Sequence, residues 1–303
     1  MSSAPVEAGG AELRAAVGEA PVRQAGLWSD AWRQLRRNPI FLVPAAIVGV
    51  FALMAVAPGL FTGADPRACN LSNSLLRPSG DHWFGFDVQG CDYYARVIHG
   101  ARVSITVGLA TVACTTVLSV VLGSLAGYYG GAVDALVARL TDVWFALPTV
   151  LGAIVILSVL GEKGVPQLVL VLVVFGWPTM TRLMRSSVLS VKGMEYVSAA
   201  RALGAGDGRI LLRHILPNAV APVVVYATIK VGIVIAAEAT LSFLGLGVQL
   251  PALSWGLMIS GAQTRLLTAP HLLLFPGLFL SLTVLAFVLM GDALRDAFDP
   301  RLR

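Results

Sequence analysis

Apolar residues along this chain gather into long runs rather than into the two-residue alternation of half-buried strands. Six runs, at 40–60, 103–128, 136–160, 165–184, 220–246 and 272–290, are each near the roughly 20 residues a helix needs to cross about 30 Å of hydrocarbon. A closed barrel would instead need short alternating segments. The pattern therefore predicts an all-α integral membrane protein with six transmembrane helices and a helical loop between the fourth and the fifth.

The polar stretches divide the chain further. Residues 1–39 form an N-terminal tail, 40–60 the first span, 61–100 a loop, and 101–303 a five-helix core interrupted by the loop 185–218. From Ser2 to Gly26 the tail is rich in Ala, Gly and Glu and is expected to be poorly ordered. Trp28, Trp32 and Leu35 with Arg33, Arg36 and Arg37 then predict a short interfacial helix among headgroups. A span that begins this far along the chain is expected to stay as an anchor, unlike a cleaved signal peptide.

Composition agrees with a bilayer setting: 56% of residues are hydrophobic, 13% charged, and the mean hydropathy is +0.78. Positive charge sets the orientation. Arg182, Arg185, Lys192, Arg201, Arg209 and Arg213 outnumber Glu195 and Asp207 in the loop between spans four and five, which makes that loop cytoplasmic. Six spans then put both termini on the same side, consistent with Arg295, Arg301 and Arg303. The pI of about 9.4 follows from this topology and argues for lipid rather than nucleic acid as the partner. On the other side lie Cys69 and Cys91. A disulfide between them would stabilise the loop by about 3 kcal/mol in the chain-entropy account; two free thiols in a reducing setting are the alternative. Cys114, within a span, is expected to be a small packing residue.

The loop 185–218 is far longer than the 2 to 8 residues that join antiparallel helices. Met194 to Leu203 holds no Pro or Gly and is stopped by Gly204; a second helical stretch over 208–215 ends at Leu216-Pro217-Asn218. Tyr196, Val197, Ala200 and Leu203 form one apolar edge, suited to a groove on another protein.

Here the residues resemble a known family. Ala199-Ala200, Gly204 and His214-Ile215-Leu216-Pro217-Asn218 are similar to the EAA signature of ABC importer permeases. His82-Trp83-Phe84-Gly85-Phe86-Asp87 with Gly90 and Asp92 resembles the external HPFGTDxxGRD motif of the dipeptide and oligopeptide branch, followed by Gly100-Ala101-Arg102-Val103-Ser104. Glu238 to Gly247, Trp255-Gly256, Gly291 to Asp296 and Asp299-Pro300 match the same branch and point to its C-type permease. Two departures stand out: Ser198 where the signature has Glu, and Cys91 where the external motif has Arg.

The resemblance implies a bacterial inner-membrane permease that pairs with a second, B-type permease and with two cytoplasmic ATP-binding subunits that hold ATP and Mg. It also implies an external substrate-binding protein. The coupling residues would be Glu195, Tyr196, Ala199, Ala200, Arg201, Leu203, Gly204, His214, Leu216, Pro217 and Asn218. Phe84, Asp87 and Asp92 would meet the binding protein. The branch carries dipeptides, oligopeptides, nickel complexes and haem.

Chemistry of its own is not expected. No GxxxxGK[ST] phosphate loop occurs, and His82, His99, His214 and His271 are scattered without an HExxH, so the chain is read as carrying no cofactor, no metal and no catalytic residue. An ion-driven transporter is the competing class, but it would show paired broken helices and intramembrane charge relays. Only Lys230 and Glu238 lie deep in a span. Glu238, with Ser242, is read either as a gate on the substrate pathway or as hydrogen-bonded within the bundle to Thr240, Ser242 or a partner subunit. Arg139 and Asp142 form a helical ion pair, and the Gly123/Gly127 pair serves either sliding or close packing.

Overall fold

A computed structural model describes residues 27–161 and 164–299, and among these the chain is helical with no strand. The tail expected to be disordered, and Arg301 and Arg303, lie outside the described residues. In chain order the helices are α1 (Leu27–Leu35), α2 (Pro39–Val56), α3 (Tyr93–Tyr129), α4 (Gly131–Ala146), α5 (Thr149–Leu160), α6 (Val165–Lys192), α7 (Glu195–Ala202), α8 (Ala221–Phe243), α9 (Trp255–Ala262) and α10 (His271–Phe298). By length and composition α2, α3, α6, α8 and α10 can each cross a membrane, and α4 with α5 supplies a sixth span if the bent pair is counted as one.

That bend is the main departure from the expected spans. The run 136–160 is not one helix, because α4 and α5 meet at 86°. Leu147 is extended (φ −83°, ψ 128°) just before Pro148. A proline lacks the N–H that would continue the ladder and pushes its predecessor out of the helical region.

Two helices also outrun the hydrophobic signal. α3 has 37 residues and is therefore about 55 Å long, well beyond the hydrocarbon thickness. It starts at Tyr93 because the Asp92 side chain caps it, accepting from the Ala95 amide at 2.9 Å. The loop expected over 61–100 thus ends at Asp92, and Arg96, His99 and Arg102 are helical. Arg102 Nε donates to the Ala55 carbonyl at 3.0 Å, joining α3 to α2. At its far end α6 absorbs the first residues of the loop expected over 185–218.

Packing of α3 on α6 organises the bundle. A Cβ on Gly123 would lie 2.7 Å from both the Thr181 carbonyl oxygen and Met184 Cβ, and one on Gly127 would lie 2.9 Å from the Arg185 carbonyl oxygen. The pair serves close packing. Arg182 and Arg185 on α6 form ion pairs with Asp142 and Asp134 on α4, so Asp142 serves Arg182 as well as the expected Arg139. Trp255 centres the core toward the start of α3: it is wholly buried beside Phe51 and Phe279, and its Nε1 donates to the Val97 carbonyl at 2.9 Å. Cys114 is exposed on the surface of α3, so it is not the packing residue expected. Ala31 and Leu35 of α1 are buried against Ala293 and Ala297 of α10, while Trp32 stays exposed.

Candidate functional site

The end of the bundle where α3 finishes and α8 begins carries a folded elbow, residues 193–219. α7 runs from Glu195 to Ala202 and stops in a Schellman turn: the Ala205 amide donates to the Ala200 carbonyl at 3.1 Å and the Gly204 amide to Arg201 at 3.0 Å. Gly204 sits at φ +79°, where a side chain would be strained, although nothing lies within 4 Å of where its Cβ would be. The chain then makes a turn at Asp207–Arg209, a wider π turn over Ile210–Ile215 and a short helical turn at Leu216–Ala219. Pro217 has no N–H to bond the Arg213 carbonyl, and the Asn218 side chain donates to the next one, His214, at 2.8 Å.

Hydrogen bonds pin the elbow to the bundle. Tyr128 at the end of α3 donates to Asp207 at 2.6 Å, Lys192 donates to the Tyr128 carbonyl at 2.5 Å, and Ser187 donates to the Ala219 carbonyl at 2.7 Å. Tyr196 reaches the His214 carbonyl at 3.4 Å. Partial desolvation pushes the Tyr196 phenol above its ordinary pKa, so it stays a donor near neutral pH. Trp28 of α1 donates to the Pro217 carbonyl at 3.3 Å, which ties the first helix to the elbow as well. Sequence reasoning had no signal for that contact.

The predicted apolar edge of α7 divides. Val197 is fully buried with Ile210, Ile215, Met184 and Val188 and fastens the elbow to the core. Leu203 is 88% exposed and Leu212 66% exposed. Glu195, Tyr196, Ala199, Arg201, Gly204, Pro217 and Asn218 are exposed, whereas Ala200, His214 and Leu216 are half-buried. Most of the predicted coupling residues are thus exposed on the elbow, as are Leu212 and Arg213 of the π turn. A rigid elbow with apolar tips and a basic surround can receive a force and pass it to α3, α6 and α8.

At the opposite end, residues 57–92 form a cap closed by a Cys69–Cys91 disulfide. The residues expected to meet a binding protein are turned into this cap. Phe84 stacks on Phe275 with ring centres 3.7 Å apart, Asp87 accepts from the Gln89 and Cys91 amides and pairs with Arg96, and Asp92 holds His82 at 2.8 Å besides capping α3. Their side chains are committed to packing within the cap and against α3 and α10. Leu60, Leu71 and Trp83, between 62% and 76% exposed, lead the apolar side chains of the cap that face outward.

Glu238 is fully buried in α8. Its carboxylate accepts from Ser242 at 2.7 Å, Ser254 at 2.9 Å and Ser104 at 3.3 Å. Thr240 is exposed and bonds the Ala236 carbonyl instead. Neither Glu238 nor Ser242 lines the cavity beneath the cap, which is bounded by Tyr93, Arg96, Leu253, Leu257 and Leu272. The hub joins α3, α8 and the start of α9. Both unpredicted partners, Ser104 and Ser254, stand inside or beside the matched motifs.

Two family models and several curated proteins match this chain. Residues 119–303 match the family described as binding-protein-dependent transport system inner membrane component, and residues 26–78 match the N-terminal transmembrane domain of oligopeptide transport permease C. The chain is 41% identical over 276 residues to the dipeptide transport system permease protein DppC of Alkalihalophilus pseudofirmus, covering 91% of this chain and 90% of the relative. It is 39% identical over 281 residues to the oligopeptide transport system permease protein OppC of Bacillus subtilis, covering 93% and 92%. A third relative, the glutathione transport system permease protein GsiD of Pectobacterium atrosepticum, is 38% identical over 281 residues, covering 91% and 92%.

Proposed function

Because this chain belongs to the binding-protein-dependent transport system inner membrane component family, we propose that its cargo is a short peptide and that it forms half of the translocation pathway. It is a multi-pass membrane protein and a permease subunit of an ABC importer. On our reading a second, similar permease supplies the other half, and a binding protein delivers substrate at the cap. Two ATPase subunits holding ATP and Mg dock on the elbow. The membrane is then a bacterial inner membrane with both termini in the cytoplasm, and hydrolysis takes place outside this chain.

The observation that carries this reading is the braced elbow. Its apolar tips, Leu203 and Leu212, stand 88% and 66% exposed while its root is buried in the core, so a push on Leu203 is delivered to the ends of α3 and α6 rather than absorbed by a loose loop. The relatives named for dipeptides and oligopeptides support the choice of cargo. The test is uptake of labelled di- and oligopeptides by cells with and without the gene. Loss of peptide uptake in the deletion, restored by the cloned gene, is expected. Unchanged peptide uptake together with lost uptake of a nickel complex or haem would overturn the cargo while leaving the importer class intact.

A further inference from the structure

Neither the fold nor the elbow accounts for Lys230, near the middle of α8. Its side chain is 6% exposed. Its Nζ donates to the main-chain carbonyl of Gly176 on α6 and lies 6.0 Å from the centre of the Tyr226 ring. Among the described residues no carboxylate comes within ion-pair distance of it. Glu238, further along the same helix, is occupied by its three serines. An ammonium has three donors and a full charge, and one carbonyl answers only part of that.

Its place on the helix is informative. Pro222, Tyr226, Ile233, Ala237 and Thr240 lie in a stripe on one side of α8 and are exposed or half-exposed, while Ile229 at the edge of that side packs against Gly291 of α10. Lys230, four residues after Tyr226 and three before Ile233, stands on the border of that stripe. Its four-carbon stem lets the ammonium swing from the Gly176 carbonyl to the stripe without moving the backbone. Lipid is a poor cover for a stripe bordered by a cation at mid-membrane depth, and a water-containing pathway is a good one.

We propose that Lys230 is a station for the substrate within the pathway and that it takes the peptide's C-terminal carboxylate. This rests on the peptide-importer reading above. Every linear peptide carries that group whatever its side chains, so one lysine serves cargo of many sequences. Gly176 holds the ammonium while the pathway is empty, the carboxylate displaces the carbonyl as the peptide passes, and the return of the ammonium to Gly176 releases it. No bond is made or broken.

The test uses the complete importer with its binding protein in ATP-supplied proteoliposomes, and a labelled peptide carried by wild-type cells alongside its C-terminal amide. Lys230→Gln is expected to lower transport of the free acid at least tenfold and to leave the amide within twofold, while Lys230→Arg keeps the acid. Equal loss of acid and amide in Lys230→Gln overturns the proposal, because a purely structural lysine would act on both alike. If the binding protein delivers no amide, peptide moved per ATP hydrolysed decides: a tenfold fall with stimulated ATPase intact supports the station, and a parallel fall of both overturns it. Failure of the wild type to carry any peptide would instead overturn the parent reading, and this proposal with it.

Discussion

Replacing Leu203 by Asp leaves the subunit folded and inserted but strips it of its ATPase partners. Leu203 is 88% exposed within the Schellman turn that ends α7, so a carboxylate there meets water and costs the isolated subunit little. In the assembled importer the same carboxylate would be buried in the docking groove. Removing an apolar anchor at the centre of an interface costs about 2 kcal/mol or more, roughly thirty-fold in affinity. Co-purification of the ATP-binding chains with tagged Leu203→Asp should fall by that order, with thermal stability unchanged. Val197→Asp is the contrast: that side chain is wholly enclosed by the core, so the charge should unfold the elbow and lower stability by about 4 kcal/mol or more. Normal ATPase recovery with Leu203→Asp would remove the elbow as the docking point.

Glu238→Ala should destabilise the subunit by about 3 to 5 kcal/mol, read as a fall in melting temperature in detergent. The substitution opens a cavity and orphans the hydroxyls of Ser104, Ser242 and Ser254, which now converge on one carboxylate from α3, α8 and the start of α9. Glu238→Gln keeps the shape and an acceptor oxygen and should cost less than half as much. A gate residue would behave differently. If Glu238→Ala melts like wild type yet abolishes transport, the residue belongs to the substrate pathway and the hub is incidental.

How much of this was legible in the residues depends on what kind of signal each feature leaves. Long apolar runs dictate membrane helices, and five of the expected spans coincide with helices of the structure because backbone polar groups in lipid have no other partner than their own helix. The third did not, since hydropathy is blind to a single Pro148 that turns an apolar run through 86°. The start of α3 was missed by ten residues for the opposite reason: Arg96, His99 and Arg102 are polar but helical, held by the Asp92 cap and by contacts to α2 and the cap.

Around the elbow, the stop at Gly204 was readable because the Schellman turn requires a left-handed residue. Which side of α7 faced the core was not readable, because Val197 and Leu203 are both apolar and only tertiary packing tells them apart. Glu238 shows the same limit. A buried carboxylate in a span demands hydrogen-bond donors, but Ser104 lies 134 positions away along the chain, and nothing local names it. Phe84, Asp87 and Asp92 illustrate the converse: a motif expected at the surface turns inward, onto the cap, α3 and α10, with Leu60, Leu71 and Trp83 among the apolar side chains left facing outward.

If work enters this subunit from outside, through the elbow, it will show in peptide accumulation by sealed proteoliposomes under controlled energy supply. With both permeases, the ATPases and the binding protein present, peptide should accumulate when ATP is supplied to the ATPase face and should stop when ATP is replaced by a non-hydrolysable analogue, whatever the ion gradient. Full-rate accumulation by this chain alone, driven by an ion gradient without nucleotide, would contradict the account.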